Sequence, residues 1–313
     1  ITIDRLGLSA PVMFEDVRII EHHIRSCLHH GHNKGRKIDL FLHTPGGFVD
    51  APWGLVSLFR EYLGSRNLSV LIPGRAFSAG TMIALGADEI VMGPGGNLGP
   101  IDAQLGGVGA EDFRGYFNMG RALGMTSRGD QRRLFEALSD ATNPVALGMI
   151  YRTWQESERM AKLLLKSRRQ PLSDRANQRI ADYLLRGVGF HGQSMRRSEA
   201  REIGLSFVKD AEHYGIEQLM SRLYDNYESL LNLDAPVLSG GWAGEGSADS
   251  DTAVPVALIE SAERLDVAYG VILRSWRKPD AVPANDGDKT KAPARHMAEY
   301  SIQWKPLRQS ALN

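Results

Sequence analysis

Apolar positions along the first hundred residues follow two rhythms. Over 14–31, Val17, Ile20, Ile24 and Leu28 recur at spacings of three and four, which predicts a helix with one buried face. From Lys37 to His43 the rhythm shortens to a run of Ile38, Leu40, Phe41 and Leu42, stopped by Pro45-Gly46-Gly47. That predicts a buried strand ending in a tight turn. Helical spacing returns over 50–63 (Val56, Phe59, Tyr62), and 68–72 is a second apolar strand stopped by Pro73-Gly74. A short helix over 78–87 and a third strand over 89–92 follow. Strand and helix in alternation predict an α/β fold with parallel strands and crossover helices. In such folds ligands bind beyond the C-terminal ends of strands. The glycine turns at 45–47 and 73–80 both follow strands, so they are expected to line one site.

From about 111 to 235 the pattern is helical. Residues 145–166 form the longest segment, with Leu147, Ile150, Trp154, Ala161 and Leu165 on one stripe. Trp154, Met160 and Leu164 exceed what one narrow stripe would bury, which marks this helix as a candidate interface. Further helices are expected over 174–186, 198–204 and 212–231, with Ser173 and Ser198 as caps. Residues 236–252, rich in Gly, Ser and Asp, read as a flexible linker. The rest holds candidate strands at 254–259 and 266–276 and a polar break at 279–295. The expected organisation is a domain over 1–235, the linker, and a small extension over 253–313. No internal repeat is visible.

Composition narrows the functional classes. The 313 residues are 42% hydrophobic and 24% charged, ordinary globular values that exclude wholesale disorder. Lys+Arg and Asp+Glu are both 37, and this zero balance argues against nucleic acid as a partner. The single cysteine, Cys27, cannot form an internal disulfide, so a reducing, cytoplasmic setting is the default. No apolar run reaches 18 residues, so no membrane span is expected. The first residue is Ile1, so an anchor removed from the N-terminus, and membrane association through it, stays open. His23 and Cys27 lie four apart in a histidine-rich helix end, but no second pair gives a zinc spacing, and no metal or cofactor is expected. Gly is abundant, 33 residues. Either a segment is loose, or the backbone closely approaches something at several points.

Two segments carry chemistry. In Gly74-Arg75-Ala76-Phe77-Ser78-Ala79-Gly80-Thr81 a serine stands between a strand and a helix. Ser78 there reads either as a helix cap or as a nucleophile on a strand-to-helix turn, where backbone N–H groups can stabilise an oxyanion. In Thr44-Pro45-Gly46-Gly47 two glycines let the backbone present N–H groups to a ligand, or simply turn the chain.

Taken in order, His43-Thr-Pro-Gly-Gly, Ala76-Phe-Ser-Ala-Gly, Ala84-Leu-Gly-Ala-Asp-Glu-Ile-Val-Met-Gly and Leu98-Gly-Pro-Ile-Asp-Ala-Gln resemble the Clp-protease/crotonase superfamily. More closely, they resemble the serine dehydrogenase proteinase family, a ClpP-class serine peptidase group. The resemblance extends through Pro52-Trp53, Pro144-Val-Ala-Leu-Gly148 and the block from His191 to Leu205, and covers roughly 35–230. It implies a ClpP/crotonase-like spiral of ββα units with a helical C-terminal half. It also implies a peptide or protein substrate, Ser78 as nucleophile, oxyanion N–H groups from Gly46 and Ala79, a turn shaped by Gly47, and self-assembly into a homo-oligomer.

The proton acceptor is harder to place. ClpP-type enzymes carry a histidine about 25 residues after the serine, whereas this chain has Ile101-Asp102-Ala103-Gln104. Lys162, inside the long helix, is one candidate base, by analogy with relatives that use lysine. The other is His191, in a loop beside Gly192. Each has an ordinary alternative, a solvated helix lysine and a loop histidine bonded to backbone. Asp102 orients a base or caps the turn after Pro100. A missing base leaves two rival readings: a non-catalytic peptide-binding scaffold of the same fold, and a crotonase-type acyl-CoA enzyme using the same N–H pair.

Overall fold

A computed structural model describes residues 4–5, 8–9, 11–29, 37–64, 67–102, 104–105, 108–187, 193–231, 252–273 and 299–307. A short antiparallel pair, β1 (Asp4–Arg5) and β2 (Leu8–Ser9), precedes helix α1 (Glu15–His29). Then come β3 (Lys37–Phe41), α2 (Ala51–Leu63), β4 (Asn67–Ile72), β5 (Arg75–Ala76), α3 (Ala79–Leu85) and β6 (Glu89–Met92). The expected strand and helix alternation is present, with boundaries within one or two residues. β3, β4 and β6 pair in parallel, and β10 (Val208–Asp210) adds in parallel to β6, giving the sheet order β10-β6-β4-β3.

The apolar runs become strands because they are covered on both faces. Leu68, Val70, Ile72, Ile90 and Met92 have no exposed surface, and α2 and α3 bring Val56, Phe59, Ile83 and Leu85 onto them. Pro73 ends β4, since it has no N–H for the ladder.

Beyond the sheet lie β7 (Asn97–Leu98) and the short hairpin β8 (Gln104–Leu105) with β9 (Val108–Gly109). Helices α4 (Ala110–Ala122), α5 (Arg128–Ala141), α6 (Pro144–Ser167), α7 (Asp174–Asp182) and α8 (Arg197–Glu202) follow. A π-helical turn, Tyr183–Gly187, extends α7, and a 3₁₀ turn, Ala211–Tyr214, precedes α9 (Glu217–Leu230). Within α6, Met160, Ala161, Leu164 and Leu165 are buried against the core. This corrects the expectation that Met160 and Leu164 project from the interface stripe: the apolar positions left exposed are Val145, Met149 and Tyr151.

The C-terminal part forms an antiparallel sheet of β11 (Thr252–Ser261), β12 (Arg264–Leu273) and β13 (Glu299–Leu307), in that order. β13 was not expected from the sequence, although Tyr300, Ile302 and Trp304 alternate. Pro306 obscures the pattern. β11 and β12 pack against α1. The expected linker lies outside the described residues except for Thr252, and so does the polar break at 279–295.

Candidate active site

The 44–47 and 75–78 turns are laced together by backbone. Thr44 N donates to Arg75 O at 2.9 Å, and Phe77 N donates to Thr44 O at 3.1 Å. Val12 clamps the other side of the first turn, donating its N–H to Gly46 O at 2.9 Å and accepting from Phe48 N at 2.9 Å. The two glycine turns are thus brought together, as expected. A row of bridges then crosses the strand ends, from Thr44 to Ala76, from Ala76 to Leu98, and from Leu98 to Met195.

Ser78 stands at the start of α3 with φ 50 and ψ −112, and among the described residues it alone has positive φ without being glycine. A serine held there is strained, because its Cβ crowds the neighbouring backbone. Its hydroxyl makes no capping bond to the helix. The turn is fixed from behind by Thr81, whose Oγ1 donates to Ala76 O (2.7 Å) and Gly99 O (3.0 Å) and accepts from Gly99 N (3.0 Å). Spacing along the chain did not mark Thr81 for this role.

Gly46 directly faces Ser78. A Cβ on Gly46 would lie 2.9 Å from Ser78 Cβ and 3.5 Å from Ser78 Oγ, and φ of Gly46 is +134. The Gly46 N–H rests on Thr44 Oγ1 at 3.1 Å. A Cβ on Gly47 would come within 2.2 Å of Val12 O. Ala79 opens α3, so its N–H lies in the first turn, where helix amides lack intrahelical partners. Asp102 is buried after β7, in a segment anchored by Ile101 N donating to Leu184 O at 3.1 Å.

Lys162 lies on the outer side of α6. Its Nζ is 2.6 Å from Glu158 Oε1, in a shallow depression also lined by Trp154, Arg159 and Lys166, and none of the site turns lines that depression. His191 lies outside the described residues.

His43, which the sequence offered only as part of a motif, is 4% exposed and sits behind the first turn. Its Nδ1 lies 3.4 Å from the Arg75 N–H, and its ring tilts against Tyr224 at 5.0 Å between centroids. Burial, helped by the Arg75 charge, pushes its pKa down to about 3. It is therefore a neutral structural imidazole that holds the turn.

Asp88 secures the far end of the same layer. It accepts from Arg60 at 2.6 and 3.0 Å and from the amides of Leu68 and Arg169. Burial pushes its pKa up, and these donors outweigh that and lower it overall.

The fold is a parallel α/β layer with its glycine turns and a strained serine at the strand ends. Residues 9–118, which hold that layer's first three strands and both turns, match the family model described as ClpP-like SDH-type serine proteinase. The resemblance read from the residues therefore holds over this segment. Among curated proteins, the uncharacterized protein MJ1495 of Methanocaldococcus jannaschii is 29% identical over 169 residues, covering 54% of this chain and 51% of the relative. The uncharacterized protein MJ0137 of the same organism is 42% identical over 73 residues, 23% of this chain and 25% of the relative. The chain thus spans about half the length of the first and a quarter of the second. Two solved structures of a membrane-bound stomatin-specific protease are also similar. One, a mutant with a substrate peptide, is 20% identical, with TM-score 0.39, over 63% of this chain and 70% of that chain. The other mutant is 18% identical, with TM-score 0.37, over 63% and 74%. Among the described residues no helix is long and apolar enough to cross a membrane, and no three His, Cys, Asp or Glu side chains gather to hold a metal.

Proposed function

We propose that the protein is a serine peptidase of the ClpP-like class, cleaving a peptide or protein substrate through an acyl-enzyme on Ser78. The observation that carries the reading is the strained φ of Ser78 opposite Gly46, because strain at a serine is retained where it aims a nucleophile. Ser78 Oγ attacks the carbonyl carbon while its proton passes to a base. The N–H groups of Gly46 and Ala79 then receive the oxyanion, a contribution worth about 3–4 kcal/mol per donor in such sites. Gly46 N–H leaves Thr44 Oγ1 as the oxyanion forms. Asp102 orients the base.

For the base, His191 and Lys162 are both candidates. Met195 pairs with Leu98, which pairs with Ala76, two residues before Ser78. His191 stands four residues before Met195 in the sequence. An amine accepts a proton only when neutral, so Lys162 serves only after its pair with Glu158 opens.

Self-assembly belongs to the same proposal. Met119 on α4, Leu123 just after it, Phe135 on α5, and Val145, Met149 and Tyr151 on α6 are exposed, where a second copy would cover them. The single Cys27 suits a reducing compartment.

A fluorophosphonate that modifies Ser78, located by peptide mapping, tests the nucleophile. Modification at Ser78 is expected, along with loss of peptide hydrolysis in a folded Ser78→Ala variant. Undiminished hydrolysis in that variant would sink the peptidase reading. Separate His191→Ala and Lys162→Met variants identify the base by a fall in kcat of about 10²–10⁴.

A further inference from the structure

A second serine takes part in a relay of its own. Ser261 is the last residue of β11 and Asp266 the third of β12, across the two-residue turn Ala262-Glu263. Between them and the core stands His23, on the buried face of α1 and 4% exposed. Ser261 Oγ is 3.0 Å from His23 Nδ1, and His23 Nε2 is 2.9 Å from Asp266 Oδ2. His23 lies 238 residues before Ser261 and 243 before Asp266, so no local motif announced the three together.

We propose that Ser261, His23 and Asp266 form a second hydrolytic centre, one that cleaves esters of aliphatic carboxylic acids. Three observations support it. The first is the order of contacts. A carboxylate accepting from the Nε2–H leaves Nδ1 to accept the serine proton, which keeps the order carboxylate, imidazole, hydroxyl of a serine triad with the two ring nitrogens exchanged. The second is the electrostatics. Burial lowers the pKa of His23 and outweighs the pull of Asp266, so the imidazole is neutral and free to accept a proton. Asp266, 2% exposed, keeps its charge because Arg264 grips both of its oxygens. The third is access. Ser261 and His23 both line a cavity of about 640 Å³ between α1, β3, α9 and the β11–β12 hairpin. A relay that only fastened the hairpin to α1 would not need to open onto a cavity. This one is large enough for a small ligand. Ile20, Ile24, Leu28 and Leu258 supply an apolar wall that suits an aliphatic acyl chain, while Lys37, Asp39 and Glu260 line the polar side.

In the reaction, Ser261 Oγ bonds to the ester carbonyl carbon while its proton moves to His23 Nδ1. The bond from that carbon to the alcohol oxygen then breaks, and the alcohol leaves with the proton from Nδ1. Water attacks the acyl-Ser261 carbonyl, giving a proton to Nδ1. The carbon–Oγ bond breaks, Oγ recovers the proton, and the carboxylic acid departs. The Glu263 N–H donates to Ser261 Oγ at 3.4 Å and helps hold the hydroxyl in place. Asp266 acts through His23 and is a positioning residue.

The test uses the full 313-residue chain carrying Ser78→Ala, so it is independent of the peptidase proposal. A fluorophosphonate is expected to modify Ser261, located by peptide mass spectrometry, and p-nitrophenyl octanoate to be hydrolysed. Adding His23→Gln should lower kcat by about 10²–10⁴, the usual contribution of a general base. Adding Asp266→Asn should lower kcat with little change in KM. If Ser261 stays unmodified while the chain is folded, or if hydrolysis is equal with and without Ser261→Ala, the proposal is overturned. Should Ser261→Ala unfold the hairpin, modification of the unaltered Ser261 in the Ser78→Ala chain decides by itself.

Discussion

Glycine and histidine show how single positions were settled by contact. At Gly47 the neighbour is the Val12 backbone, which cannot step aside without breaking its bonds to Gly46 and Phe48. Gly47→Ala is therefore expected to destabilise the fold by about 3 kcal/mol, the upper end of ordinary point changes, as read from urea midpoints. At Gly46 the neighbour is Ser78 itself, so Gly46→Ala should abolish labelling of Ser78 more than it lowers stability, and comparison of the two measurements checks this. His43 gives a pH dependence. Its folded pKa of about 3 lies below the unfolded 6.5, so the unfolded chain binds the extra proton. Its contribution is complete above pH 6.5 and is lost as pH falls toward 3, at up to about 1.4 kcal/mol per pH unit. Between pH 6.5 and 5 the wild type should lose about 1.6 kcal/mol more stability than His43→Gln. Equal losses would refute the assignment.

Elements were more legible than their junctions. The alternation of apolar runs and helical stripes gave β3, α2, β4, α3 and β6 nearly residue by residue, because parallel strands buried on both faces read as continuous apolar runs. What joins them was hidden. Thr81 satisfies three backbone groups from two loops, and nothing in its local sequence requires that. Thr81→Val keeps the shape and leaves those groups unbonded, at an expected cost of about 1–3 kcal/mol, while Thr81→Ser should retain most of the stability. Thermal unfolding of the pair makes the comparison. Arg168 is a second junction. Its guanidinium lies 3.3 Å from the Phe207 ring centroid and donates to Ala87 O and Asp88 O, and burial brings its pKa down to about 10.

At the scale of the whole molecule, apolar surface is distributed unevenly. The sheet and its helices close around a continuous core, whereas α4, α5 and the first half of α6 keep large apolar side chains in solvent. If a second copy covers them, Leu123→Asp with Tyr151→Asp should reduce the mass measured by sedimentation to that of one chain. An unchanged mass would remove that face as the interface. The C-terminal sheet is tied to α1 through His23, Ser261 and Asp266, so the extension and the first helix share one polar contact that neither segment reveals alone.

By itself the sequence determined the α/β class, the order of the elements, and the placing of the Gly46-Gly47 turn and Ser78 after strands. Those properties are local: periodicity, turn chemistry and a motif are written within a few residues of one another. Tertiary structure decided how the 44–47 turn meets Ser78, that Met160 and Leu164 face inward, and that His43 is neutral and structural. It also brought His23, Ser261 and Asp266 together. Each of these depends on which distant residues share a buried space, where desolvation and the few partners at hand set protonation and strain, and no spacing along the chain encodes that.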